Sequence, residues 1–174
     1  MPITLDGTTG ITTPTVYANN IFNGSSNGVG NIGNSSTYFN TVFAKSTSAQ
    51  YADIAEMYVA DAAYSPGTVL AFGGNHEVTI SSVENDVKVA GVVSTNPSYL
   101  MNSTLSGQHV VAVALVGRVH THVQGNVRKG DMMVSAGNGV AMSCSAPAMG
   151  TVIGKALEDF TGTQGKVELV VGRL

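Results

Sequence analysis

Apolar residues from position 66 to the end of the chain arrive in short runs broken by turn residues, and the runs repeat. Pro66-Gly67-Thr68-Val69-Leu70 matches Lys129-Gly130-Asp131-Met132-Met133, and each leads to a glycine-asparagine step, Gly74-Asn75 or Gly137-Asn138. Each then reaches an apolar run interrupted by one glycine, Val89-Ala90-Gly91-Val92 or Val152-Ile153-Gly154-Lys155. All three matches keep the same spacing of 63 positions. Both halves close on one phrase, Leu115-Val116-Gly117-Arg118-Val119 and Val170-Val171-Gly172-Arg173-Leu174, where the spacing falls to 55. Agreement at this many positions points to an internal duplication, with eight residues lost from the second copy, assigned to the Pro97–Gly107 loop.

The elements follow from that alignment. Runs at 68–72 and 76–81 predict a hairpin that 131–136 and 139–144 repeat, and Asn138-Gly139 is a strong two-residue hairpin signal because both positions tolerate positive φ. Further strands are expected near 87–95, 150–158 and 166–174. The longest strand is expected over 109–123. Its odd positions stay largely apolar, whereas its even positions turn from Val110, Ala112, Ala114 and Val116 to Arg118, His120 and His122. With a side-chain period of two, that is a strand buried on both faces that emerges with one polar face. A helix is credible only in Ser48–Tyr58, where an extended strand fits as well. The fold class expected is all-β: a small duplicated barrel or sandwich with pseudo-twofold halves, about 66–119 and 129–174, within a domain 51–174.

Residues 1–50 follow different physics. More than half are Gly, Ser, Thr or Asn, and the only charged side chains are Asp6 and Lys45. Apolar residues come singly or in small groups: Ile3 and Leu5, Ile11, Val16-Tyr17, Ile21-Phe22, Val29, Ile32, Tyr38-Phe39 and Val42-Phe43. Such a segment cannot bury enough surface by itself to offset its ordering entropy. It is either a disordered polar leader or an extended arm that orders against copies of itself. Low charge weighs against disorder, and the steps Asn23-Gly24, Asn27-Gly28, Gly30-Asn31 and Gly33-Asn34 suit tight turns between short extended pieces. The self-associating arm is the favoured reading.

Composition narrows the function classes. Hydrophobic residues make up 43% of the 174 residues, enough for a core, but charged residues only 11%, against roughly 25% in ordinary domains. Long solvent-facing helices have little to draw on. Net charge is −3 with eight Lys plus Arg and no basic run, so a nucleic-acid partner, which needs a cationic stripe, is not expected. Cys144, the single cysteine, excludes an internal disulfide. No signal peptide is legible, and no stretch approaches the roughly 20 apolar residues of a membrane span, so no membrane insertion is expected.

Tyr51-Ala52-Asp53-Ile54-Ala55-Glu56-Met57-Tyr58, followed by Pro66-Gly67-Thr68-Val69, Gly91-Val92-Val93-Ser94-Thr95-Asn96-Pro97 and Gly150-Thr151-Val152-Ile153-Gly154-Lys155-Ala156-Leu157-Glu158, forms a series. In this order it resembles the C-terminal domain of bacteriophage tail fibre and virion structural proteins. Leu5-Asp6-Gly7-Thr8-Thr9-Gly10-Ile11 and the stretch from Gly33 to Ala44 are similar to shaft segments preceding that domain. The resemblance implies a homotrimer located on the virion, assembled in the host cytoplasm, with tail or baseplate proteins, else capsid proteins, as neighbours and a host surface glycan as a receptor. It implies a structural protein, not an enzyme. Two rivals remain open: a capsid decoration (cement) protein, and a self-cleaving intramolecular chaperone domain.

Candidate chemistry is sparse. His120-Thr121-His122 places two imidazoles on one side of a strand. Beside a threefold axis, three chains would supply six nitrogens for an iron or nickel ion, otherwise no cofactor is expected. Arg118 on the same face opposes a cation. Asp53 and Glu56 are the carboxylates a self-cleaving domain would use as acid and base. The plainer expectation is that they pin the arm through hydrogen bonds, and a chain beginning at Met1 is expected to have no long upstream fibre to release. Tyr64, Tyr99 and Phe160 fall in expected loops as a partner or receptor surface, or as caps on the barrel. The Asn96–Gln108 loop, missing from the second half, is the first place to seek a partner-specific surface. Gly91 and Gly154 recur inside strands, which suggests bulges or close backbone approach.

Overall fold

The structure, a computed structural model, describes residues 14–22, 26, 30–34, 36–44 and 48–172. The steps Asn23-Gly24 and Asn27-Gly28, the residues Ile3, Leu5, Ile11 and Val29, and the closing Arg173-Leu174 lie outside them. The chain divides into two compact units, Met1–Ser46 and Thr47–Leu174.

The described residues contain ten strands and no helix. They are β1 (Asp53–Val59), β2 (Val69–Phe72), β3 (Val78–Ile80), β4 (Val89–Val93), β5 (Tyr99–Met101), β6 (Val110–Gln124), β7 (Met132–Gly137), β8 (Val140–Ser143), β9 (Val152–Ala156) and β10 (Gln164–Val171). Five of them close a barrel: β6 pairs with β10, β10 with β9, β9 with β7 and β7 with β8, and β8 returns to β6 at Val123–Ala141. The fold is therefore all-β, as expected. The first half of β6 carries β1 and β4, and β2 and β3 follow from β4.

The repeat survives as hydrogen-bond register. Leu70–Ile80, Ala71–Thr79 and Phe72–Val78 in the first hairpin become Met133–Ser143, Val134–Met142 and Ser135–Ala141 in the second. Val69–Val92, Leu70–Gly91 and Ala71–Val89 become Met132–Lys155, Met133–Gly154 and Val134–Val152, with a bulge at the same point in each. A side chain on Gly91 would drive into the Ala114 carbonyl oxygen, and one on Gly154 into that of Val170. Both glycines thus sit at a bulge and at a close approach of backbones.

One detail of the expected deletion is corrected. Val93 pairs with Val113 and Ala156 with Leu169, so the first connection exceeds the second by seven residues rather than eight. The eighth is Leu115, the extra residue where β6 bulges opposite the Ile54–Ala55 step. That bulge re-aims the side chains around it. Val116 is 54% exposed, two positions earlier than the polar face of β6 was expected to begin.

Burial follows the period of two along β6: Val111, Val113, Val119, Thr121 and Val123 are buried, whereas Arg118 and His120 are exposed. Val119, Val123, Val127, Met133, Ile153, Val167 and Leu169 belong to the barrel core. Thr121 joins them fully buried and donates its hydroxyl to the Val119 carbonyl, which satisfies it. A second cluster, around Leu70, Val78, Val93, Val111 and Val113, takes in Tyr58 and Tyr64.

Residues 48–52 are not helical and β1 is extended, which settles the one ambiguous segment. β5 was not expected. It lies inside the loop that the second half lacks and pairs in parallel with β1, Ile54 with Tyr99 and Glu56 with Met101.

The first unit has no strand among its described residues. Among its described residues a turn forms at Gly33-Asn34, where the Asn34 side-chain oxygen accepts the Ser36 and Thr37 backbone N–H groups at 2.9 Å each. Nine large apolar side chains there (Val16, Tyr17, Ile21, Phe22, Ile32, Tyr38, Phe39, Val42 and Phe43) are 62–96% exposed.

Candidate functional site

The two carboxylates of the Tyr51–Tyr58 motif do not meet. They are three positions apart in an extended strand, so their side chains leave opposite faces of the sheet. Glu56 is half-buried and accepts a hydrogen bond from the Tyr58 hydroxyl at 2.8 Å. Asp53 is 5% exposed, and its Oδ2 is the one buried side-chain polar atom without a partner among the described residues. Burial pushes its carboxyl above the ordinary carboxylate range, against the opposing pull of a hydrogen bond with Ser94.

The backbone around Asp53 is clamped. Its carbonyl accepts both the N–H and the hydroxyl of Ser98 at 2.8 Å, and the Ala52 carbonyl accepts the Arg118 N–H at 3.1 Å. Gly117 lies opposite Asp53, and any side chain there would collide with the Ala52 carbonyl. Asp53, Ser94, Asn96, Arg118, His120 and Glu168 line a cavity of about 270 Å³ whose wall also includes residues 50–52. The Tyr51–Tyr58 and Gly91–Pro97 motifs thus converge on one cavity. Sequence reading missed the burial of Asp53 and the part played by Ser94. The signal available was the co-occurrence of these motifs.

His120 is exposed and His122 half-buried, both on the outward side of β6. β10 sets Glu168 opposite His120 and Lys166 opposite His122. Arg118 reaches Glu168 at 3.7 Å, an exposed pair worth little to stability. No group of three or more His, Cys, Asp or Glu side chains able to hold a metal occurs among the described residues. Of the three aromatics, only Tyr99, at 63%, is exposed, and Tyr64 and Phe160 are half-buried. The Tyr64 hydroxyl donates to Asp61 and accepts the Ile80 N–H at 3.1 Å. Phe160 packs against the barrel core and covers Gly162 and Gly165. Cys144 is a half-buried free thiol.

No family model matches the chain, and no curated protein matches it. Solved structures do resemble it. The pre-mature gene product 12 of bacteriophage phi29 is similar with a TM-score of 0.58 and 12% identity over 75% of this chain. The match takes up 23% of that protein, so this chain spans about a quarter of its length. The head fiber gp8.5 N base of bacteriophage phi29 is a weaker likeness, with a TM-score of 0.42 and 18% identity over 69% of this chain and 94% of that one. At 12% identity the likeness to gene product 12 establishes a shared fold. No helix among the described residues is long and apolar enough to cross a membrane.

Proposed function

We propose that this chain is a structural component of a bacteriophage particle, a short homotrimeric tail fibre protein that attaches the particle and contributes to host recognition. Its role is mechanical, without turnover of a substrate. The observation that carries this reading is the first unit, whose nine large apolar side chains stand 62–96% exposed while the second unit buries a core of its own. Such side chains find cover when several copies share them. The fold held in common with gene product 12 of phage phi29 supports the phage assignment. The fibre-like motifs make three the expected number of copies.

Light scattering on a sizing column tests this directly. The expected mass is three times the 17.8 kDa of one chain, and a stable monomer would remove the reading. Immunogold labelling of intact particles should mark the tail; gold on the capsid would transfer the protein to the decoration class.

The cavity at Asp53 favours a second reading, the self-cleaving chaperone. A buried carboxyl with one oxygen unpartnered among the described residues, in a cavity that residues 50–52 also line, is the group such a reaction needs. Against it, Glu56 points to the other face of the strand. Intact-mass spectrometry should return the full chain. A fragment beginning near residue 50, abolished by Asp53→Asn and by Glu56→Ala, would establish the second reading instead.

A further inference from the structure

We infer that the groove between the Tyr64 loop and the Asn138 turn binds a neutral saccharide unit. The inference rests on the attachment reading above and gives it a contact point. The groove measures about 360 Å³, at the small end of the roughly 300–1,000 Å³ usual for ligand sites. Five separate pieces of the second unit converge on it: the loop before β2, the end of β3, the end of β6, the β7–β8 turn and the start of β10.

Its chemistry is polar and uncharged. No Asp, Glu, Lys or Arg lines it. An anionic ligand would call for a guanidinium or ammonium, and a cation for carboxylates. Here the polar groups are the amides of Asn138 and Gln164, the His122 imidazole and the mutually hydrogen-bonded Ser65 and Thr68 hydroxyls, beside a wall that includes the Tyr64 ring and Ile80. Each amide both donates and accepts, as a vicinal diol requires, and the apolar wall suits the C–H face of a pyranose ring. The Asn138 and Gln164 amides and the His122 imidazole have no hydrogen-bond partner among the described residues, so none needs to be broken on binding.

The walls are also fixed in advance. The Tyr64 hydroxyl is held between Asp61 and the Ile80 N–H. The His122 ring lies so close over Gly67 that a methyl group there would come within 3.1 Å of it. Asn138 (φ 52°) and Gly139 (φ 71°) form a tight turn whose Gly139 N–H is bonded to the Ser81 carbonyl at 2.9 Å. Such preorganisation lowers the entropy lost on binding.

Saturation-transfer NMR on the full chain, with glucose, galactose, mannose and N-acetylglucosamine as probes and glucuronic acid as the anionic control, tests the site. At least one neutral sugar should give transfer, and it should exceed that of the anionic control. Asn138→Gly, which keeps the turn, and Gln164→Ala should each weaken binding about tenfold, the worth of one good hydrogen bond, with unchanged melting temperature. Absence of transfer from every neutral sugar overturns the proposal. So does binding that survives the double variant. If that surviving binding is lost on Tyr99→Ala, the groove fails while host recognition stands. A monomer that binds sugar and loses it in the double variant would keep the groove and sink the tail fibre reading.

Discussion

Asp53 combines near-complete burial with an oxygen that has no partner among the described residues, and the two facts set its effect on stability. Its raised carboxyl pKa means that the folded chain holds the proton more tightly than the unfolded chain. The stabilisation is therefore full below the unfolded pKa and is lost as pH rises through the folded one. Asp53→Asn should stabilise the chain at pH 7, because the amide carries no charge to desolvate, and the gain should vanish under acid conditions; urea melts at both pH values check this. Asp61 and Asp131 act in the opposite sense. Hydrogen bonds from Tyr64 then Thr79, and from the Arg128 N–H then Ser143, hold their pKa values low, so their contribution is lost on acidification. Gly154→Ala should cost about 1–3 kcal/mol or more by overpacking against the Val170 carbonyl, whereas Gly172→Ala, with nothing within 4 Å, should be neutral in thermal melts. At the histidine pair, Lys166 and Arg118 put two cations on the face that would hold an ion. Elemental analysis of the purified protein is expected to find no stoichiometric iron or nickel.

β6 shows how far an element can be read from its own residues. Its alternation of apolar and polar positions marked its length and its buried face, because each side chain's direction follows from strand geometry alone. The bulge at Leu115 was not legible, since it exists only in relation to β1 across the pair. β5 escaped for the same reason. Tyr99-Leu100-Met101 is only three residues long and has no repeat partner to mark it, and it is a strand because β1 offers it an edge. The β9–β10 connection closes the barrel without any such insertion. Shortening the β4–β6 connection by seven residues between 97 and 107 should therefore preserve a cooperative, all-β melt. It should also release the Asp53 carbonyl from Ser98, detectable as faster hydrogen exchange at the start of β1.

At the scale of the molecule, the second unit is self-sufficient in apolar burial and the first is not. Phe39→Ser together with Phe43→Ser should lower the mass seen by light scattering while leaving the melting of the barrel unchanged, because neither residue belongs to either core cluster. The same contrast explains which candidate residues could be ranked from sequence. Tyr64, Tyr99 and Phe160 are equivalent as aromatics in expected loops, yet only the packed chain shows that Tyr64 and Phe160 are half-buried and Tyr99 is exposed.

The duplication, the strands of the repeated halves, the Asn138-Gly139 turn and the weakly charged first unit were determined by sequence, because period, φ tolerance and charge are properties of neighbouring residues. The closure of the barrel through Val123 and Ala141, the burial of Asp53 under Ser94, and the meeting of Tyr64 with His122, Asn138 and Gln164 were decided by tertiary structure. Each joins residues far apart in the chain, and their proximity is set by packing that no local pattern records.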